Sequence, residues 1–108
     1  MTASIPTSIA RELRQLGADL RLARIKRRLR LKDVAGAAGV TVQTIQRLEA
    51  GEPGVALGTL ATALMVLGLN DRLRSLAEAA KDDIGLLADI ARLPVRVVRT
   101  RRANPTGR

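Results

Sequence analysis

The twenty residues 31–50, LKDVAGAAGVTVQTIQRLEA, constrain this chain more than any other stretch. They read as two short helices joined by a tight turn. Apolar side chains stand at Val34, Ala38, Val40, Ile45 and Leu48, with small Ala35 and Gly39 between them. The pattern has a steric reason. Two helices crossing at roughly 90–120° in a helix-turn-helix approach closely near Ala35, where a larger side chain would push them apart. Gly39 falls where the first helix should end, and glycine takes a left-handed conformation there without a Cβ penalty. Thr41 then stands in position to cap the second helix. All these demands are met together.

At 108 residues the chain is read as one domain with a modest core. It holds 19 Lys and Arg against 10 Asp and Glu, a formal charge of +9. Such an excess suits a polyanionic partner, nucleic acid or an anionic membrane, but basic proteins are common and charge alone does not choose. Placement sharpens the reading. Residues 21–32 carry Arg21, Arg24, Lys26, Arg27, Arg28, Arg30 and Lys32 with no acid among them.

Absences exclude whole classes. With no Cys and no His there is no thiolate or imidazole for a metal, and no Ser-His or Cys-His nucleophilic pair. Adjacent Asp82 and Asp83 do not face each other on a helix, so they read as a solvated helix start rather than a catalytic pair. The expectation is no enzyme, no metal and no cofactor. Lacking Phe, Tyr and Trp, the chain has no aromatic platform for unpaired bases, which argues against single-stranded DNA or RNA. The start, MTASIPTSIARELR, does not read as a secretory signal. Residues 60–69, interrupted by Thr62 and Gly68, are too short to span a bilayer. Cytoplasmic residence without membrane association is expected, at the bacterial nucleoid if the partner is DNA.

Pro6, Thr7 and Ser8 look like a helix start, and Ile9, Leu13, Leu16, Leu20 and Ala23 follow as one apolar stripe. Gly17 costs about 1 kcal/mol inside a helix relative to Ala. Residues 1–15 are therefore read as an extension, either one long helix or an arm before a first helix near Leu16. The DNA-binding domain is assigned to 16–80, with helices at 31–38 and 42–50. A loop, GEPGVALG, then leads to a fourth helix over 57–67 that turns Leu60, Ala61, Leu64 and Leu67 inward and stops at Gly68. Asn70 is placed as the cap of a fifth helix from 71 to about 80, burying Leu73, Leu76 and Ala77. A C-terminal extension, 81–108, holds a short helix over 84–93, ended by Pro94, and a basic tail.

Within residues 16–69, Arg24, Val34-Ala35, Gly39-Val40, Ile45 and the run Leu48-Glu49-Ala50-Gly51 resemble the phage repressor/Cro (Xre-type) helix-turn-helix family. The resemblance implies an all-α, five-helix repressor-like bundle that binds operator DNA as a dimer, its third helix in the major groove. The segments PGVALGTLA and LGLNDRLRSLAE look most like the HipB-like antitoxins, which pair with HipA-type kinase toxins. That implies a transcriptional repressor of its own operon with a HipA-like kinase as partner. Two alternatives stay open: a free-standing regulator of the same family, and a basic protein that coats nucleic acid or membrane without sequence preference.

The resemblance also assigns residues. With Thr41 as cap, the 3.6-residue period turns Gln43, Gln46, Arg47 and Ala50 outward. Thr41, Val42, Gln43, Thr44, Gln46 and Arg47 are the base-reading candidates, those at the helix start reaching deepest. Gln43 suits adenine, Val42 a thymine methyl, and Arg47 either guanine or a phosphate. Helix N-termini attract phosphate, so Arg28, Arg30, Lys32, Gly54, Ala56 and Thr59 are the backbone candidates. Three positions depart from the family: Leu31 where a polar residue is usual, Ala50 where Asn is common, and Arg28 at the usual glycine of the turn. Arg24 and Glu49 match its structural ion pair.

Dimerisation on a palindromic operator is expected, through apolar residues at Leu73, Leu76, Ile84 and Leu87. Residues 92–108 contain six Arg and no acid, with Val95, Val97 and Val98 among them. Such a tail is read as a disordered end or as a segment ordered by a partner: a strand across the dimer, a docking segment for a toxin, or a DNA arm.

Overall fold

The computed structural model describes residues 4–78 and 82–91. They form six helices: α1 (Thr7–Lys26), α2 (Leu31–Ala38), α3 (Val42–Glu49), α4 (Leu57–Val66), α5 (Asn70–Ser75) and α6 (Asp83–Ala91). Among the described residues there is no strand. The chain divides into two units, residues 1–74 and 75–108.

In the first unit, α2 packs on α3 and α4, and α1 packs on α3. Leu20, Val34, Ala35, Ile45, Leu48, Ala63, Leu64 and Leu67 make the core, with Ile45 only 1% exposed. Local chemistry sets the boundaries of α2 and α3. Gly39 ends α2 at φ 72°, and the Val40 amide donates back to the Ala35 carbonyl at 3.0 Å, closing the helix end. Two residues on, the Thr44 amide donates to the Thr41 hydroxyl at 3.1 Å and starts α3. Gly68, at φ 77°, follows the end of α4.

Helix α1 runs unbroken from Thr7 through Gly17, so of the two readings of this segment the described residues show one long helix. The glycine has a different purpose. A Cβ at Gly17 would stand 2.8 Å from both the Glu49 carbonyl carbon and the Gly51 nitrogen. Gly51 answers from the other side, where a Cβ would lie 2.6 Å from Arg14 Cα. The main chains of α1 and the end of α3 therefore touch.

Two expectations are corrected. The stripe of α1 is only partly covered: Leu20 is buried and Ala23 packs on the core, while Ile9 and Leu16 are exposed. At 1.5 Å per residue, α1 is about 30 Å long and α3 about 12 Å, so α1 overhangs its partner and the overhang leaves Ile9 uncovered. The fifth helix begins at Asn70 rather than after it and stops at Ser75, well short of residue 80. Leu73 packs on the core, but Leu76 and Ala77 are exposed. A helix this short persists only where tertiary contact supports it, and one leucine supplies that contact.

The second unit contains α6, where Asp82 caps the start by accepting from the Gly85 amide at 2.8 Å. Ile84 and Leu87 are exposed on it. Val95, Val97 and Val98 lie outside the described residues.

Candidate nucleic-acid interface

Helix α3 has one side fixed and one side open. Ile45 and Leu48 are buried, whereas Val42, Gln43, Gln46 and Arg47 are exposed. Thr41 and Thr44 are engaged with each other, hydroxyl to hydroxyl at 2.9 Å, so both serve the cap. That leaves Val42, Gln43 and Gln46 as open side chains on the first two turns. Arg47 is tethered: its Nε donates to Glu52 Oε1 at 2.9 Å.

Behind α3 sits the Arg24–Glu49 pair. Arg24 Nε and Nη2 donate to the two oxygens of Glu49 at 2.8 and 3.1 Å, and Nη1 donates to the Leu29 carbonyl at 2.9 Å. The two side chains are 11% and 9% exposed. A bidentate fork of this kind fixes orientation as well as distance. One guanidinium thus joins α1, the turn after it and the last residue of α3.

The turn between α1 and α2 is built from cations. Arg28 stands at φ 58°, a left-handed conformation that costs a side chain about 1–2 kcal/mol. It is exposed, and its amide donates to the Ile25 carbonyl at 2.9 Å. Arg27, absent from the candidates, donates from Nε to the Leu67 carbonyl at 2.8 Å and from Nη1 to Ala23 at 2.8 Å. It caps the C-terminal end of α4, where a cation meets the partial negative charge of the helix. The excess of arginine was visible in the sequence, but the carbonyl that receives this one, forty residues away, was not.

The start of α2 is already occupied by a carboxylate. Asp33 accepts from the Arg30 amide at 2.7 Å and from Arg30 Nε at 3.3 Å. The backbone hydrogen bond, then the side-chain one, hold its carboxyl below the usual range. Arg30 is therefore shared with Asp33, while Lys32 is exposed. At the other candidate terminus, the amides of Thr59 and Leu60 donate to the Ala56 carbonyl, so those of Leu57 and Gly58 come before the helix ladder. Gly54 and Ala56 are exposed and Thr59 is half-buried.

The candidates for partner contact separate. Leu73 belongs to the first unit and is partly covered by its core, whereas Leu76, Ile84 and Leu87 in the second unit are 72%, 82% and 65% exposed. Among the described residues no three acidic, Cys or His side chains group as metal ligands. No helix there is long and apolar enough to cross a membrane.

Residues 15–77, from the second half of α1 past α5, match the helix-turn-helix domain family. The chain belongs to that family. Comparison with curated proteins and with solved structures returned no match. In this helix-turn-helix protein the match takes in α2, the turn at Gly39 and α3, and it ends before α6. Membership makes it a DNA-binding protein.

Proposed function

We propose that this chain is a transcriptional repressor that reads a specific duplex sequence with α3 and binds it as a homodimer, acting by binding rather than catalysis. One observation carries the reading: apart from the exposed Arg47–Glu52 pair in its last turn, the fixed contacts of α3 lie on its buried side or at its cap, and the open side presents Val42, Gln43 and Gln46. A glutamine at the start of a recognition helix offers a donor and an acceptor that match adenine N7 and N6 in the major groove. The basic turn at Arg28 supplies charge for the phosphate backbone, and two half-sites about one helical turn apart multiply the selectivity of a small module.

The test is Gln43→Ala. It should cost about 1–3 kcal/mol at one base pair per half-site and relax preference there, with little change in salt slope. Selection from a randomised duplex pool reads the outcome, and an unaltered preferred sequence counts against this use of α3. The antitoxin role rests on the resemblance of the segments after α3 to HipB-like proteins. A kinase that co-purifies with the native protein supports it, and its absence favours a free-standing regulator.

A further inference from the structure

Glu52 is placed where an acid is least expected. Residues 34–70 contain two carboxylates, and Glu49 is committed to Arg24. The other, Glu52, follows α3 in the loop leading to the exposed start of α4. A polyanion approaching α3 would be repelled by it. An exposed ion pair adds little to stability, and Arg47 and Glu52 are 45% and 50% exposed.

The geometry gives the acid a use. Glu52 Oε1 accepts from Arg47 Nε at 2.9 Å, and the Glu52 amide donates to the Arg47 carbonyl at 3.1 Å. Arg47 Nη2 lies 3.7 Å from where a Cβ would stand on Gly54. The guanidinium therefore lies along the loop rather than beyond the tip of α3. Engagement at Nε sets the plane of the fork and leaves the Nη1–Nη2 edge, which suits a phosphate.

Resting on the DNA-binding reading above, we infer that Glu52 is a positioning residue that holds Arg47 as a phosphate clamp, leaving base reading to Val42, Gln43 and Gln46. An untethered arginine would sample many rotamers and lose that freedom on binding. The tether removes part of the loss beforehand.

The test uses the full chain and labelled duplexes, one of the preferred sequence and one random, across a salt series. Arg47→Ala should weaken both duplexes alike and lower the salt slope by about one. Glu52→Gln and Glu52→Ala remove the same charge, but only glutamine keeps an acceptor within reach of Nε. Glu52→Gln should therefore bind about two- to fivefold more tightly than Glu52→Ala, the scale of an exposed pair. That gap should vanish when Arg47→Ala is added, as a double-mutant cycle requires. Equal binding by the two Glu52 variants overturns the inference, as does a gap that persists without Arg47. So does an Arg47→Ala protein whose preferred base changes at one position. Thermal melts check each fold, with Arg47→Met, which keeps the apolar stem, in place of any unfolded Arg47→Ala. Failure of the wild-type chain to bind either duplex overturns the DNA reading itself, and this inference with it.

Discussion

Arg24 spends all three of its guanidinium nitrogens on protein acceptors, two on Glu49 and one on Leu29. Its removal would strand a carboxylate that is 9% exposed. Arg24→Ala should therefore destabilise the fold by about 3 kcal/mol, as breaking a buried pair does. DNA affinity should fall with melting temperature, because the end of α3 loses its anchor. Melting that stays unchanged would show that the pair contributes nothing. Arg28 calls for the opposite sign. Glycine adopts its φ of 58° without strain, so Arg28→Gly should raise stability by about 1 kcal/mol while weakening binding to every duplex. Thermal melts and salt-dependent binding check both halves. These two residues show what a sequence discloses at this scale. Arg24 and Glu49 were legible because the motif fixes both partners by residue type. Arg27 was not, because the Leu67 carbonyl it meets belongs to the backbone, which every residue shares.

At the scale of elements, Gly17 tests packing against propensity. Alanine is the better helix former by about 1 kcal/mol, yet its Cβ would press into the backbone of Glu49 and Gly51. Gly17→Ala should lower the melting temperature despite its higher propensity; a rise would mean that α1 and α3 separate without loss. The sequence showed the cost of this glycine and not its reason, since the reason lies in another helix. By contrast α2 and α3 were readable nearly to the residue, because Gly39 and Thr41 act on their own neighbours. The fifth helix was not. Its end depends on how far the core reaches beyond Leu73, and periodicity carries no information about that.

At the scale of the whole molecule, the second unit carries large apolar side chains that are exposed. Large apolar side chains grouped on a surface mark an interaction site more often than they mark nothing, and Ile84 and Leu87 share one side of α6 at i and i+3. A homodimer by light scattering at micromolar concentration is expected. The double substitution Ile84→Asp and Leu87→Asp should give a monomer that melts unchanged in its first unit and loses cooperation between half-sites. A wild-type monomer would remove the dimer from the proposal. Arg24, Gly17, Ile45 and Leu48 hold α3, and none of them is Val42, Gln43 or Gln46. Under the proposed function, folding and reading are therefore written in separate letters. Exchanging these three exposed side chains should leave thermal stability unchanged while, under the proposed use of α3, moving the preferred target sequence; thermal melts and selection from a randomised duplex pool check both.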